Sequence, residues 1–201
     1  MKGTTMLKSI LSNPSKMPGK AYSLPAMACP NGAKMAAIEG TVCHKCYALK
    51  GRYRMPNVAN AMAERLAMID QPNWIDVMVA EISRVREKHF RWHDSGDLQS
   101  MQHLQKIVEI ARRLPEYRFW LPTKEYALLR DFNEEFPPNL TVRVSATKID
   151  GKAPTYPLTS TVHKQAEPIG FACEAYTRKG KCGDCRACWD NTVPNVSYPQ
   201  H

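Results

Sequence analysis

Hydrophobic positions along much of the chain recur at the spacing of an α-helix. Between residues 74 and 89, apolar side chains stand at positions 75, 78, 79, 82 and 85, and this spacing predicts a helix. The same periodicity predicts three more helices, over residues 58–68, 101–114 and 125–132. A shorter alanine-rich stretch, residues 33–40, predicts a helical turn that ends at a glycine.

Between these segments the period changes to the two-residue repeat of β-strands. Residues 139–148 alternate apolar and polar side chains, so they predict a strand with Val142 and Val144 on one face. Further strands are predicted within residues 90–98 and 117–126, and weaker ones at 22–28, 160–164 and 169–175.

Strands and helices thus alternate through the middle of the chain. That order predicts an α/β fold built from parallel βαβ units with right-handed crossovers. A complete eight-stranded barrel takes about 250 residues, so we expect a partial (βα) barrel of about five or six mainly parallel strands. A cysteine-rich loop near the N-terminus and a cysteine-rich C-terminal tail would flank it.

Composition divides the chain into three segments. Residues 1–20 are dominated by Ser, Pro, Gly and Lys and predict a flexible arm. Residues 21–170 hold the predicted βα domain with the first cysteines, and residues 171–201 form a polar segment with the last cysteines. We expect little regular structure in that final segment.

Polar clusters follow three of the predicted strands, at residues 93–97, 123–125 and 145–148. Because reactive groups of parallel α/β folds gather at the carboxyl ends of strands, these clusters predict one shared pocket. The alternative is ordinary loop and capping residues, since Asp97 and Thr123 are both good N-cap types. His93 has two interpretations as well, a catalytic acid–base or a structural histidine.

Cys29, Cys43 and Cys46 form the first of two cysteine groups, with Cys-x13-Cys-x2-Cys spacing. Two cysteines separated by two residues aim both sulfurs at one metal or cluster, and Cys29 adds a third ligand. Three protein ligands leave one coordination position open, which a reactive metal requires.

The second group is Cys173, Cys182, Cys185 and Cys188. Its Cys-x2-Cys-x2-Cys run resembles the ligand run of bacterial ferredoxins, and four thiolates would close the coordination shell. Iron–sulfur is favoured over zinc here, although zinc fits the same spacing. One cluster drawing sulfurs from both groups is a further alternative, and a lone cysteine is often only a small buried hydrophobe.

The net charge of +9 favours contact with a polyanion such as nucleic acid, or else serves solubility alone. Basic residues crowd the first cysteines, at Lys34, Lys45, Lys50, Arg52 and Arg54. No apolar run approaches the roughly 18 residues that span a membrane. Without an evident signal peptide, seven cysteines argue against a disulfide framework and for the cytoplasm.

The stretch ACPNGAK…TVCHKCYALKGRY followed by FRWHDSGDL resembles the phage-encoded gene-product-88-like proteins. Those proteins are similar to radical S-adenosylmethionine (SAM) enzymes in having a cysteine loop after the first strand and a Gly-Asp or Gly-Glu element after the second. The resemblance implies a [4Fe–4S] cluster on Cys29, Cys43 and Cys46, a protein of the host cytoplasm, and a small-molecule substrate. Radical-SAM enzymes usually have Cys-x3-Cys-x2-Cys, so this chain differs in its first gap.

By the same resemblance, Ser95, Gly96 and Asp97 would bind SAM, with Asp97 on its amino group and Lys124 or Lys148 on its carboxylate. His93, Asp97 and Lys124 are the candidate catalytic residues. A second hypothesis is a non-enzymatic iron–sulfur or zinc protein that binds nucleic acid or a host protein. A third is a cluster enzyme that uses an open iron as a Lewis acid.

Overall fold

A computed structural model describes residues 10–200. Its centre is a seven-stranded sheet, in which all neighbouring strands are parallel, in the order β1-β2-β3-β4-β5-β7-β6. The strands are β1 Lys20–Tyr22, β2 His89–Trp92, β3 Arg118–Thr123, β4 Leu140–Ile149, β5 Thr159–His163, β6 Phe171–Ala172 and β7 Asn195–Pro199. The α-helices of this part of the chain are α1 Pro30–Met35, α2 Pro56–Met68, α3 Trp74–Ser83, α4 Met101–Arg113 and α5 Tyr126–Arg130.

Helix α4 shows how the sequence produces these elements. Its N-cap Ser100 accepts a hydrogen bond from the His103 amide at 3.1 Å, which satisfies one free N–H of the first turn. Apolar side chains at 104, 107, 108 and 111 lie on one face and are buried. Arg112 and Arg113 occupy the last turn, where cations oppose the negative end of the helix dipole.

The main hydrophobic core lies on one face of the sheet. It joins α3 and α4 to alternate side chains of the central strands, such as Phe90 and Trp92 of β2 and Val142 and Val144 of β4. Because successive strand residues point to opposite faces, Arg91, Trp120 and Arg143 face the other way. That second face is covered by the C-terminal segment.

Arg143 anchors the C-terminal segment to the second face. Its fully buried guanidinium donates hydrogen bonds to five backbone carbonyls. Four belong to the C-terminal segment and one to β5, namely Ala187, Cys188, Asp190, Val193 and Thr159. Trp189 adds a hydrogen bond of 2.9 Å from its indole N–H to the Phe90 carbonyl. The tail is therefore part of the same packed unit as the sheet.

The α/β prediction with mainly parallel strands is confirmed, and the sheet has one strand more than expected. The extra strand is β7, which lies in the tail where little regular structure was expected. It is flanked by Pro194 and ends at Pro199, so its sequence carries turn signals. Its pairing with both β5 and β6 outweighs those local signals.

Several element bounds differ from the sequence predictions. The helix expected over residues 74–89 ends at Ser83. Residues 84–88 form the connection to β2, which begins at His89. The strand expected at 22–28 is instead β1, followed by a short 3-10 helix at Ala26–Ala28. The alanine-rich turn begins earlier than expected, as α1.

The first segment lies partly outside the described residues, since the structure begins at residue 10. From there, Leu11 is buried in the core, and Ser12 forms an antiparallel bridge with Ala21. The Ile10 carbonyl accepts a hydrogen bond of 2.6 Å from Arg65 Nε. In residues 10–200, no helix has the length and apolar character required to cross a membrane.

Candidate functional site

Residues 29–54, which we call the cysteine loop, lie over the carboxyl ends of the central strands. Asn31 of α1 connects the loop to the end of β3. Its backbone N–H donates to Glu125 Oε1 at 2.9 Å, and its side-chain amide donates to Glu125 Oε2 at 2.6 Å. Burial raises the pKa of Glu125, and the Asn31 N–H partly offsets that rise. This two-point contact fixes the helix that begins immediately after Cys29.

Two tyrosines connect the loop to the end of β2. The hydroxyl of Tyr47 donates to the Asp94 carbonyl, and that of Tyr53 donates to Asp94 Oδ2 at 3.0 Å. Their rings also contact each other, with centroids 5.8 Å apart. Tyr47 directly follows Cys46, so this contact sets the position of the last cysteine of the first group.

Backbone pairing connects the loop to the end of β4. The Val42 N–H donates to the Thr147 carbonyl at 2.9 Å, and the Ile149 N–H donates to the Gly40 carbonyl at 3.1 Å. Thr41 forms an antiparallel bridge with Lys148. Cys43 therefore follows directly from a segment paired with the sheet.

The sulfurs of Cys29 and Cys43 lie beside Gly32, and Cys46 is near enough to interact electrostatically with both. A Cβ on Gly32 would stand 3.5 Å from Cys29 Sγ and 3.7 Å from Cys43 Sγ, and only 2.9 Å from Cys29 Cβ. Burial raises the pKa of Cys29 to about 12, and nearby Asp97, Cys46 and Cys43 add to that rise. Burial also raises the pKa of Cys43, against the lowering effect of Lys124. The structure thus brings the three predicted cysteines together.

Asp97 lies next to this group but is engaged within the chain. Its Oδ1 accepts from the Leu98 N–H at 2.8 Å and from the Thr123 hydroxyl at 2.6 Å, and its Oδ2 accepts from the Lys124 N–H at 2.9 Å. Burial raises its pKa, although these hydrogen bonds oppose the change. Asp97 therefore ties the loop after β2 to the end of β3, and Oδ2 retains a free lone pair.

Ser95 and Gly96 lie at the junction of β1 and β2. The Ser95 hydroxyl donates to the Leu24 carbonyl at 2.8 Å, and the Ser95 carbonyl accepts from the Leu24 N–H at 2.8 Å. Gly96 has a φ of +87°, and a Cβ there would collide with Leu24 Cβ. Position 96 therefore requires glycine, because its φ is positive and Leu24 lies too close for a side chain.

His93 is buried behind the strand end. Its ring contacts His103 and Trp92, with centroid distances of 5.2 and 6.1 Å. Neither of its ring nitrogens has a hydrogen-bond partner among the described residues. Burial lowers the pKa of His93 well below its ordinary value, so the ring is neutral at pH 7. It does not line the cavity described next.

Lys124 and Lys148 line a cavity of about 450 Å³ at the carboxyl ends of β3 and β4. Ser145 and Thr147 contribute to its wall, as the polar clusters after these strands predicted. The cluster at residues 93–97 does not line it. Lys124 interacts electrostatically with Cys29 and Cys43, so it stands between the cavity and the first cysteine group.

The second cysteine group lies on the second face of the sheet. Burial raises the pKa of Cys182, and its neighbours Cys173 and Cys185 raise it further. Burial raises the pKa of Cys188 to about 12, partly offset by a 3.2 Å hydrogen bond between its Sγ and the Tyr198 hydroxyl. Cys188 also interacts with Cys173 and Cys182, so the four thiols are neighbours.

Arg91 lies between the two groups, and the sequence analysis did not single it out. Burial works against its charge, yet Tyr47 and Asp94 raise the pKa of Arg91 above its ordinary value. Its guanidinium lies 4.3 Å from the centroid of the Trp120 ring, and it also interacts electrostatically with Cys188. The sequence feature that could have identified it is a charged arginine between the aromatic residues of a predicted strand.

The donor set of each group suits thiolate-ligated metal, and Gly32 leaves space beside the first group. In the part of the chain that the structure describes, however, no three His, Cys, Asp or Glu side chains are arranged to hold a metal ion. The thiols are therefore neighbours without forming a finished single-ion site.

Comparison with known proteins identifies the family. The family model for gene product 88 matches residues 2–191. No curated protein matches the chain. No solved structure matches it either. Because the family match covers nearly the whole sequence and agrees with the resemblance seen around the cysteine loop, the chain belongs to the gene product 88 family.

Proposed function

We propose that this protein is an iron–sulfur enzyme whose reactive [4Fe–4S] cluster is held by Cys29, Cys43 and Cys46. One observation carries the proposal. The sulfurs of Cys29 and Cys43 face the same space beside Gly32, and Lys124 interacts with both while lining the neighbouring cavity. Three thiolates beside a cavity would leave one iron open toward a ligand.

The number of thiols in the first group favours a cluster over structural zinc. A structural Zn²⁺ takes four protein ligands, whereas the first group offers three thiolates. Three thiolates are the set that would leave one iron of a [4Fe–4S] cluster open.

The second group is proposed to hold a second iron–sulfur cluster, with zinc as the alternative. Four thiolates would close its shell and give it a structural or electron-carrying role. The carbonyls of Cys188 and Ala187 are fixed by Arg143, which supports a rigid site. Free thiols and iron–sulfur chemistry both suit the reducing host cytoplasm, where we propose the protein acts.

SAM is the proposed co-substrate, and a reduced cluster would supply it with one electron. Asp97 Oδ2 would accept a hydrogen bond from the SAM amino group through its free lone pair. Lys124 or Lys148 would pair with the SAM carboxylate. Ser95 and Gly96 would contribute by shaping the strand junction beside Asp97. His93 is buried against His103 and Trp92 and does not line the cavity, so of its two interpretations we propose the structural one.

Anaerobic purification followed by iron, sulfide and zinc analysis tests the cluster proposal. About four irons per chain are expected for one [4Fe–4S] cluster and about eight for two. The reduced protein should then convert SAM to 5′-deoxyadenosine and methionine, taking one electron from dithionite and one hydrogen atom from substrate or solvent. A protein that contains zinc and no iron would refute the cluster. An iron-loaded protein that forms no 5′-deoxyadenosine would refute only the SAM step.

A second candidate function is binding of nucleic acid or a host protein without catalysis. The observation that favours it is a set of exposed basic side chains on the cysteine loop, at Lys45, Lys50, Arg52 and Arg54. Such a surface predicts salt-dependent binding to DNA or RNA. A protein that fails to bind a polyanion column at low salt would exclude nucleic acid as the partner.

A further inference from the structure

The cavity beside the first cysteine group has the size of a small-molecule site. Its volume is about 450 Å³, and small-molecule pockets usually measure about 300–1,000 Å³. Three lysines line it, Lys124, Lys148 and Lys152, and its wall contains no carboxylate. Four hydroxyl-bearing residues complete its polar lining, namely Tyr126, Ser145, Thr147 and Thr155. The lining therefore favours an anion.

Two of the three lysines carry uncompensated charge. Lys124 interacts electrostatically with Asp97 and Glu125, which share its positive charge. Lys148 and Lys152 form no ion pair with any side chain of residues 10–200. Two free ammonium groups on one wall match a group with two negative charges, such as a phosphate.

A hydrogen-bonded turn fixes the backbone that carries these two exposed lysines. Asp150, with a φ of 55°, follows β4, and its carboxylate accepts hydrogen bonds from the N–H groups of residues 164, 165 and 166. Those hydrogen bonds lower the pKa of Asp150. At the next position, a Cβ on Gly151 would stand 3.0 Å from Lys148 Cβ. The close approach at glycine brings the backbone of Lys148 and Lys152 to the same wall.

The same wall is attached directly to the cysteine loop. Thr41 bridges Lys148, and the next residue, Val42, pairs with Thr147 immediately before Cys43. A ligand anchored at Lys148 and Lys152 would therefore extend past Lys124 toward the first cysteine group.

We infer that the cavity binds a small phosphate-bearing molecule through Lys148 and Lys152, and that this molecule is the substrate. As a substrate assignment it rests on the proposed iron–sulfur enzyme, whereas binding itself does not require the cluster. SAM fits this wall poorly, because its sulfonium and amino groups exceed its one carboxylate in charge. Lys124 thus remains for the SAM carboxylate, whereas Lys148 and Lys152 bind the second ligand.

Calorimetric titration with pyrophosphate tests the inference on the anaerobically purified protein. The Lys148→Gln/Lys152→Gln variant should lose affinity for pyrophosphate by at least about tenfold, because both charged hydrogen bonds disappear. The Arg86→Gln/Lys179→Gln variant removes the same charge at exposed positions outside the cavity and should change affinity less than about twofold. Equal losses in the two variants would overturn the site.

Two further measurements distinguish failure of the anion site from failure of the proposed iron–sulfur enzyme. The Cys29→Ser/Cys43→Ser/Cys46→Ser variant should keep its pyrophosphate affinity if it remains folded by circular dichroism. Pyrophosphate binding by a protein that contains no iron would support the anion site and refute the proposed iron–sulfur enzyme. Binding of a single-stranded oligonucleotide without binding of pyrophosphate would overturn the small-molecule assignment.

Discussion

Asn31 and Glu125 meet at two points, with the Asn31 backbone N–H 2.9 Å from Oε1 and its side-chain amide 2.6 Å from Oε2. One residue belongs to the helix after Cys29 and the other follows the end of β3. This pairing joins the cysteine loop to the strand whose end also positions Lys124. It therefore links the proposed cluster to the cavity.

Removing the Glu125 carboxylate should loosen the cysteine loop. Glu125→Ala removes the acceptor of the Asn31 backbone N–H and one of the two acceptors of its side-chain amide, which also donates to the Lys124 carbonyl at 3.3 Å. At this half-buried position the loss costs about 1 kcal/mol. We expect lower iron content per folded chain, and a smaller loss in Glu125→Gln, which keeps one acceptor. Glu39→Ala is the matched control, because Glu39 is exposed in the same loop. Full iron content in Glu125→Ala would contradict a positioning role for this contact.

A side chain at Gly32 should disturb the first sulfurs directly. Gly32→Ala places a Cβ 2.9 Å from Cys29 Cβ, a distance at which one group must shift. We expect iron loading at the first group to fall while the fold is retained, measured by visible absorbance and circular dichroism.

Gly40→Ala is the control for Gly32→Ala. Its Cβ would meet nothing, but its φ of +80° is unfavourable for alanine, at a cost of about 1–2 kcal/mol. This variant should lower the melting temperature without lowering the iron content of the folded protein. Equal iron loading in both glycine variants would show that the space beside Gly32 is not used.

Arg143→Met should destabilise the whole fold. The substitution removes the guanidinium from five carbonyls, of which Ala187 and Asp190 each keep one backbone N–H donor. The other three lose that donor, so a loss of about 3 kcal/mol is expected in urea unfolding. Arg112→Met is the comparison, since Arg112 forms an exposed ion pair with Glu134 at 2.9 Å, and such pairs contribute about 0–1 kcal/mol. Similar losses in the two variants would contradict the anchoring role of Arg143.

Buried histidines should make the fold sensitive to acid. Burial lowers the pKa of His103 from 6.5 to about 3, and burial also lowers the pKa of His93. Below about pH 6.5 the unfolded chain binds protons that the folded chain does not, so stability falls as the pH falls toward 3. His103 contributes about 1.4 kcal/mol per pH unit across this window, and His93 acts in the same direction.

Urea unfolding between pH 7.5 and pH 4.5 measures that slope. The slope of unfolding free energy against pH should be smaller in His103→Gln by about 1.4 kcal/mol per pH unit, whatever the stability of that variant at pH 7. His44→Gln is the control, because His44 is only partly buried and contacts the Ala36 carbonyl from Nδ1 at 3.2 Å. An unchanged slope in His103→Gln would contradict a neutral buried ring.

Periodicity predicted the helices and strands that form the core, because burial against α3 and α4 selects the same spacing that the sequence displays. It missed β7, whose prolines read as turn signals and whose strand character depends on pairing with β5 and β6. Cysteine spacing predicted both thiol groups. It did not predict the contacts of Asn31, Tyr53 or Arg143, since these join residues 94, 41 and about 45 positions apart in the chain.

The first three cysteines are proposed to hold a reactive iron–sulfur cluster independently of the second group. Iron and sulfide analysis of two triple variants tests it, Cys29→Ser/Cys43→Ser/Cys46→Ser and Cys182→Ser/Cys185→Ser/Cys188→Ser. The first variant should lose about four irons per chain, and the second should keep about four, with the open-site cluster intact. Unchanged iron content in the first variant, or zinc alone in the wild-type protein, would contradict a cluster held by Cys29, Cys43 and Cys46.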